Sequence, residues 1–253
     1  MVKAVVPYGV LLALVAGSGC GGSPGAGARE ADSVPAASVA SRGTPGATDT
    51  RPVVLFLGTS LTAGFGLDPS QAYPALIQTK IDSVGFEFQV VNGGVSGETS
   101  AGARRRIGWL LRKPAAVLVI ETGANDGLRG TDPDELERNL TAIIQLAREQ
   151  QPPPAIVLVG MEAPPNLGRE YTRRFRAVYR DLAAEYGLRL MPFLLSGVAG
   201  IDSLNQADGI HPTPAGQRIV ADNMWRVLEP VLRRVGAGAG AGTGSGGEGG
   251  GGG

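Results

Sequence analysis

The chain has 253 residues, with 23 Lys+Arg set against 23 Asp+Glu and a formal net charge of zero. That balance provides no global field to recruit nucleic acid, and the sole cysteine, Cys20, excludes an intrachain disulfide. With one cysteine and one histidine, His211, no His or Cys cluster of metal-ligand spacing exists, so neither a metal nor a cofactor is expected.

Residues 1–19 carry Lys3 and then an apolar run from Ala4 to Ala16. The run is too short and too interrupted by glycine to span a bilayer, and reads as an export signal. Cys20 follows, ahead of Gly21-Gly22-Ser23, as at a bacterial lipoprotein processing site, although Gly17 stands where that pattern has Leu or Val. Lipidation of Cys20 is preferred over ordinary signal cleavage or a misassigned start. One acylated terminus would tether the protein to a membrane surface, facing the periplasm, without embedding it. Residues 20–51 are a Gly/Ala/Ser/Pro linker too poor in large apolar groups to fold. Residues 236–253 read as a disordered glycine-rich tail. Between them, residues 52–235 make one domain with room for a sizeable core.

Val53 to Leu57 is a short apolar, β-branched run ending at Gly58, as expected of a buried strand. Phe88–Val91, Val117–Ile120, Ile156–Val159 and Leu188–Phe193 look similar. A helix is expected from Pro133 to about Arg148, with Asp132 as its cap and Asp134 and Glu135 near its positive end. Another follows the stripe Tyr171, Phe175, Val178, Tyr179, Leu182 and Tyr186. The last begins at Thr213-Pro214 and carries Ile219, Val220, Trp225, Val227 and Leu228. The basic cluster Arg104-Arg105-Arg106 reads as a solvated helix face. Alternating strands and helices imply a parallel sheet covered on both faces. In such sheets ligands bind beyond the carboxyl ends of the strands, so chemistry-bearing residues are sought just after each one.

Gly58-Thr59-Ser60-Leu61 follows the first strand. Ser60 there is either a hydroxyl projecting into the crevice or a serine helix cap. Asn92-Gly93-Gly94-Val95-Ser96-Gly97-Glu98-Thr99 follows the second strand. Gly93 and Gly94 read as a glycine-rich turn, whereas Gly97 can also offer its N–H to a developing oxyanion. No Walker-type or Gly-x-Gly-x-x-Gly pattern follows the first strand, which disfavours phosphate binding. Asn125, after the third strand, is either an amide donor to the same oxyanion or part of an Asn-Asp-Gly turn. His211 lies in Asp208-Gly209-Ile210-His211-Pro212. It is either a loop histidine near a helix start or a general base whose ring Asp208 orients from three residues back.

Taken in order, Gly-x-Ser-Leu (58–61), Gly97, Gly-x-Asn-Asp (123–126) and Asp-x-x-His (208–211) resemble the SGNH hydrolases, also called GDSL esterases and lipases. The similarity extends from Val53 to about Trp225. It is closest to the bacterial acyl-thioesterase, lysophospholipase and arylesterase branch, through residues 91–100, 123–130 and 164–171. The resemblance implies a flavodoxin-like three-layer α/β/α sandwich with a five-stranded parallel sheet in the order 2-1-3-4-5. It implies Ser60, Asp208 and His211 as catalytic residues, an oxyanion hole from Ser60, Gly97 and Asn125, and hydrolysis of an acyl ester or thioester through an acyl-enzyme. The expected substrate is a small-molecule or lipid ester, with residues 127–132 and 161–171 as expected crevice walls and Pro164, Pro165 and Leu167 apolar enough to contact an acyl chain. Two other activities are weighed: a carbohydrate O-acetyl esterase with the same triad, and an envelope lipoprotein that binds lipid or glycan without turnover. The chain departs from the family at Thr59, where the named motif has Asp, so the hydrogen bonding around Ser60 and the pH dependence are expected to differ.

Overall fold

The computed structural model describes residues 49–241. Cys20, the export segment, most of the linker and residues 242–253 lie outside them. Five strands, β1 (Val53–Gly58), β2 (Gln89–Gly94), β3 (Val117–Glu121), β4 (Ala155–Val159) and β5 (Arg189–Met191), form one sheet in the order β2-β1-β3-β4-β5. Every pairing is parallel, with Leu55 opposite Val91 on one side and Leu118 on the other. All residues of β1 and β3 are buried, which requires cover on both faces and explains their unbroken apolar runs. The chain runs from β1 outward to β2 and then returns to β3 on the other side, so the switch point lies beyond the carboxyl ends of β1 and β3.

Among the described residues, six α-helices lie between the strands, α1 (Ser60–Ala63), α2 (Tyr73–Ser83), α3 (Ser100–Leu110), α4 (Ala124–Arg129), α5 (Pro133–Arg148) and α6 (Arg169–Glu185), and α7 (Pro214–Ala241) follows the last one. Helix α2 packs on α7, while α3, α5 and α6 lie side by side as a second set. In α5, Leu136, Leu140, Ile143, Ile144 and Ala147 are buried, and Asp132 caps the helix by accepting from the Asp134 amide at 3.1 Å. In α6, Phe175, Val178, Tyr179 and Leu182 are buried, whereas Tyr171 and Tyr186 at the ends of the stripe are only partly covered.

Three boundaries differ from the sequence expectation. Strand β5 stops at Met191 because Pro192 has no N–H to continue the ladder. Strand β2 continues through Gly93 and Gly94, which are not a turn. Gly93 pairs with Leu57 and Gly94 with Gly58, and a Cβ on Gly94 would stand 2.3 Å from the Ala63 backbone nitrogen. Gly94 lets α1 press directly on the end of β2. Finally, α7 runs on through Gly236 to Ala241, past the expected boundary at 235. Buried Leu228, Val231 and Leu232 anchor its last packed turns, and extending a formed helix costs far less than starting one.

Candidate active site

Helix α1 starts at the carboxyl end of β1. Its cap is Thr59, whose hydroxyl accepts from the Leu61 amide at 3.4 Å, so Ser60 is the first helical residue and not the cap. Its N–H therefore lacks an intrahelical acceptor and its hydroxyl points off the helix end. The Ser60 Oγ lies 2.9 Å from His211 Nε2, across 151 residues of chain. His211 Nδ1 lies 2.6 Å from an oxygen of Asp208, whose other oxygen accepts from the Ile210 and His211 amides at 3.0 Å each. The hydrogen bond from His211, followed by those two amides, lowers the Asp208 carboxyl from 3.8 to about 2. An ionised Asp208 can only accept, so Nδ1 carries the proton and the lone pair of Nε2 faces the Ser60 hydroxyl.

The loop bearing His211 is fastened by a residue that carries no motif. The Gln206 N–H donates to the His211 carbonyl at 2.7 Å, and its side-chain amide donates to the Phe65 carbonyl at 2.8 Å and the Pro212 carbonyl at 3.1 Å. The Phe65 ring lies against the imidazole, with centroids 4.6 Å apart.

Gly97 follows β2 in the left-handed region, at φ +77°, a conformation that favours glycine. Among the described residues its N–H has no acceptor. One hydrogen of the Asn125 amide goes to the Glu98 carbonyl at 3.0 Å, which fixes the side chain and leaves the other hydrogen free. The loop is anchored twice more. Ser100 donates to the buried Asp126 carboxylate through its N–H at 2.8 Å and its hydroxyl at 2.6 Å. Arg106 grips Glu98 through two nitrogens at 2.6–2.9 Å and reaches the Gly58 carbonyl at 3.2 Å. Arg106 thus joins the ends of β1 and the Gly97 loop; the solvated-face reading does not hold for it. The sequence signal was faint: Glu98 and Arg106 are eight residues apart and meet only because the loop folds back on α3.

Ser60, Gly97, Asn125 and His211 all line one cavity of about 530 Å³. Of the expected walls, Leu128, Met161, Ala163 and Pro164 line it, whereas Pro165 and Leu167 do not. Phe65, Phe193, Leu195, Ala199 and Ile210, none of them expected as walls, complete a mainly apolar surface. Among the described residues, no helix is long and apolar enough to cross a membrane.

Comparison with known proteins shows the family. Residues 56–219 match the model of the GDSL-like Lipase/Acylhydrolase family. Esterase TesA of Pseudomonas aeruginosa is 44% identical over 181 residues, covering 71% of this chain and 89% of that protein. The Escherichia coli K12 protein named thioesterase 1/protease 1/lysophospholipase L1 is 39% identical over 181 residues, covering 71% and 84%. The crystal structure of the psychrotrophic esterase EstA from Pseudoalteromonas sp., inhibited by monoethylphosphonate, superposes with a TM-score of 0.67. It is 32% identical and covers 72% of this chain and 98% of that one.

Proposed function

The chain belongs to the GDSL-like lipase/acylhydrolase family, the SGNH hydrolases, and is a serine ester hydrolase; we propose that it cleaves acyl esters or thioesters through an acyl-enzyme on Ser60. The observation that carries this reading is the relay from Ser60 to His211 to Asp208, at 2.9 and 2.6 Å, opening into an apolar cavity.

Ser60 Oγ attacks the carbonyl carbon while His211 Nε2 takes its proton, and Asp208 holds the imidazolium that forms. The carbonyl oxygen becomes an oxyanion and is received by the N–H groups of Ser60 and Gly97 and the free hydrogen of the Asn125 amide. His211 then returns the proton to the leaving alcohol or thiol. Water attacks the acyl-enzyme with His211 again as base, releasing the acid and restoring Ser60. Leu128, Phe193, Leu195 and Ile210 give the acyl chain an apolar wall, and about 530 Å³ is more room than an acetyl group needs. The printed names of the relatives, esterase and thioesterase/lysophospholipase, support the same substrate class.

The test is hydrolysis of p-nitrophenyl esters from acetate to palmitate by the wild-type protein and Ser60→Ala. A Ser60-dependent rate that rises beyond acetate is expected. A rate confined to acetate would point to a deacetylase, and no difference between the proteins would point to binding without turnover.

The same proposal extends to location: residues 1–19 direct export, Cys20 is lipidated at the envelope facing the periplasm, and residues 20–51 tether the catalytic domain. Metabolic labelling with palmitate, present in the wild type and absent in Cys20→Ser, is the expected result; equal labelling would refute it.

A further inference from the structure

The turn that presents Ser60 rests on a buried acid that the reaction above does not use. Glu121 closes β3 and is wholly buried. Its carboxylate takes the Thr59 N–H at 2.8 Å, the Thr59 hydroxyl at 3.0 Å from both oxygens, and the Thr62 hydroxyl at 2.7 Å. Thr59 and Thr62 bracket Ser60, so one side chain ties both ends of the turn that presents it. The Thr62 oxygen also lies 2.7 Å from the Tyr73 hydroxyl. With Glu121 ionised, the Thr62 proton points to it and Tyr73 is the donor to Thr62. The protons of the whole chain, Tyr73 to Thr62 to Glu121, therefore run toward the carboxylate. Tyr73 is itself fixed, with its N–H on Gln217 of α7 at 2.9 Å and its ring edge-on to Phe56.

As an anion Glu121 can accept from Thr59 and Thr62 at once. A protonated Glu121 would add a donor, and either a hydroxyl would give up its bond to the acid or the Thr62–Tyr73 bond would have to reverse. Burial pulls the other way, raising the Glu121 carboxyl from 4.5 to about 7 against the hydrogen bonds from Thr59 and Thr62. The titratable groups facing it are the phenols of Tyr73 on α2 and Tyr179 on α6. Burial raises both well above the usual phenol value, so neither carries charge. Among the described residues no Lys, Arg or His pairs with Glu121. Position 59 decides the balance. A carboxylate there would sit within hydrogen-bond reach of Glu121, and two such acids would share a proton. Threonine donates instead.

We propose that Glu121 is a positioning residue for the nucleophile: as an anion it fixes the turn that presents Ser60, and Thr59 is the residue that lets it remain one. This rests on the reading of Ser60 as nucleophile. It predicts that productive enzyme needs both His211 and Glu121 unprotonated.

The experiment is the pH profile of kcat/KM for p-nitrophenyl butyrate with the full chain, alongside stoichiometric labelling of Ser60 by a phosphonate. The wild type should lose activity on the acid side more steeply than one protonation allows. Glu121→Gln, whose amide brings donors against donors, should lose roughly 10- to 100-fold in kcat and keep a single-proton limb. Thr59→Val, which keeps the shape but removes a donor, should move the limb to higher pH, and Thr59→Ser should restore it. If Glu121→Gln does not fold, the two Thr59 variants decide. A common acid limb in all these proteins would overturn the proposal, whatever their rates. Unlabelled Ser60, or activity in Ser60→Ala, would remove its premise instead, and the two failures are read from different measurements.

Discussion

Replacing Asn125 by alanine isolates one component of the oxyanion site. The amide has two hydrogens; one is held by the Glu98 carbonyl at 3.0 Å and the other faces the cavity that Ser60 and Gly97 also line. The free hydrogen has its full partner only when the carbonyl oxygen becomes an anion. Its loss should therefore raise the barrier by about 2.7–4 kcal/mol, a fall in kcat of roughly 100- to 1000-fold with little change in KM. The lost bond to Glu98 should cost only about 1 kcal/mol of stability, because Asp126 and Arg106 hold the same loop independently. Steady-state kinetics with p-nitrophenyl butyrate, paired with a urea melt, separates the two effects. A rise in KM at unchanged kcat, or a fall in kcat under tenfold, would refute an oxyanion role for this amide.

Gly94→Ala would drive a methyl to 2.3 Å from the Ala63 nitrogen; overpacking of this kind costs about 1–3 kcal/mol, and a urea midpoint equal to the wild type's would contradict the close approach of α1 to β2. Leu128→Ser should raise KM for p-nitrophenyl octanoate about fivefold, from the loss of roughly 1 kcal/mol of apolar contact, and leave acetate unchanged; equal effects on both esters would contradict an acyl wall there. The Glu121 carboxyl is raised from 4.5 to about 7 in the native state. The folded protein therefore holds that proton to higher pH than the unfolded chain does, and this group withdraws stability as pH rises across that window. At about 1.4 kcal/mol per unit, the stability of the wild type relative to non-titrating Glu121→Gln should fall by about 3 kcal/mol from below pH 4.5 to above pH 7. A gap independent of pH, read from urea melts, would contradict this.

What the sequence disclosed is local in origin. Ser60, Gly97 and Asn125 each follow an apolar strand whose carboxyl end faces the switch point, and Asp208 and His211 share one short loop. Strand alternation and short spacing were enough to gather them on one side of the sheet. Partnerships made only by folding carried no such signal. Glu121 reads as the first polar residue after an apolar run, yet its ligands come from 59 and 62 residues away. Arg106 sits in a basic triplet that composition assigns to solvent, and nothing marks Gln206 as the tie between Phe65 and the His211 loop. Gly93 and Gly94 were misread because a glycine pair signals a turn unless the close approach of another backbone is known. Thr59 stood out as a departure from a motif, but its meaning depended on the acid facing it.

The central claim is an acyl-enzyme on Ser60, and rapid acid quenching of the full chain turning over p-nitrophenyl butyrate tests it most directly. Mass analysis of the quenched protein should find a butyryl group on the peptide containing Ser60, and none in Ser60→Ala. Acylation at another residue, or turnover by Ser60→Ala at the wild-type rate, would contradict the account.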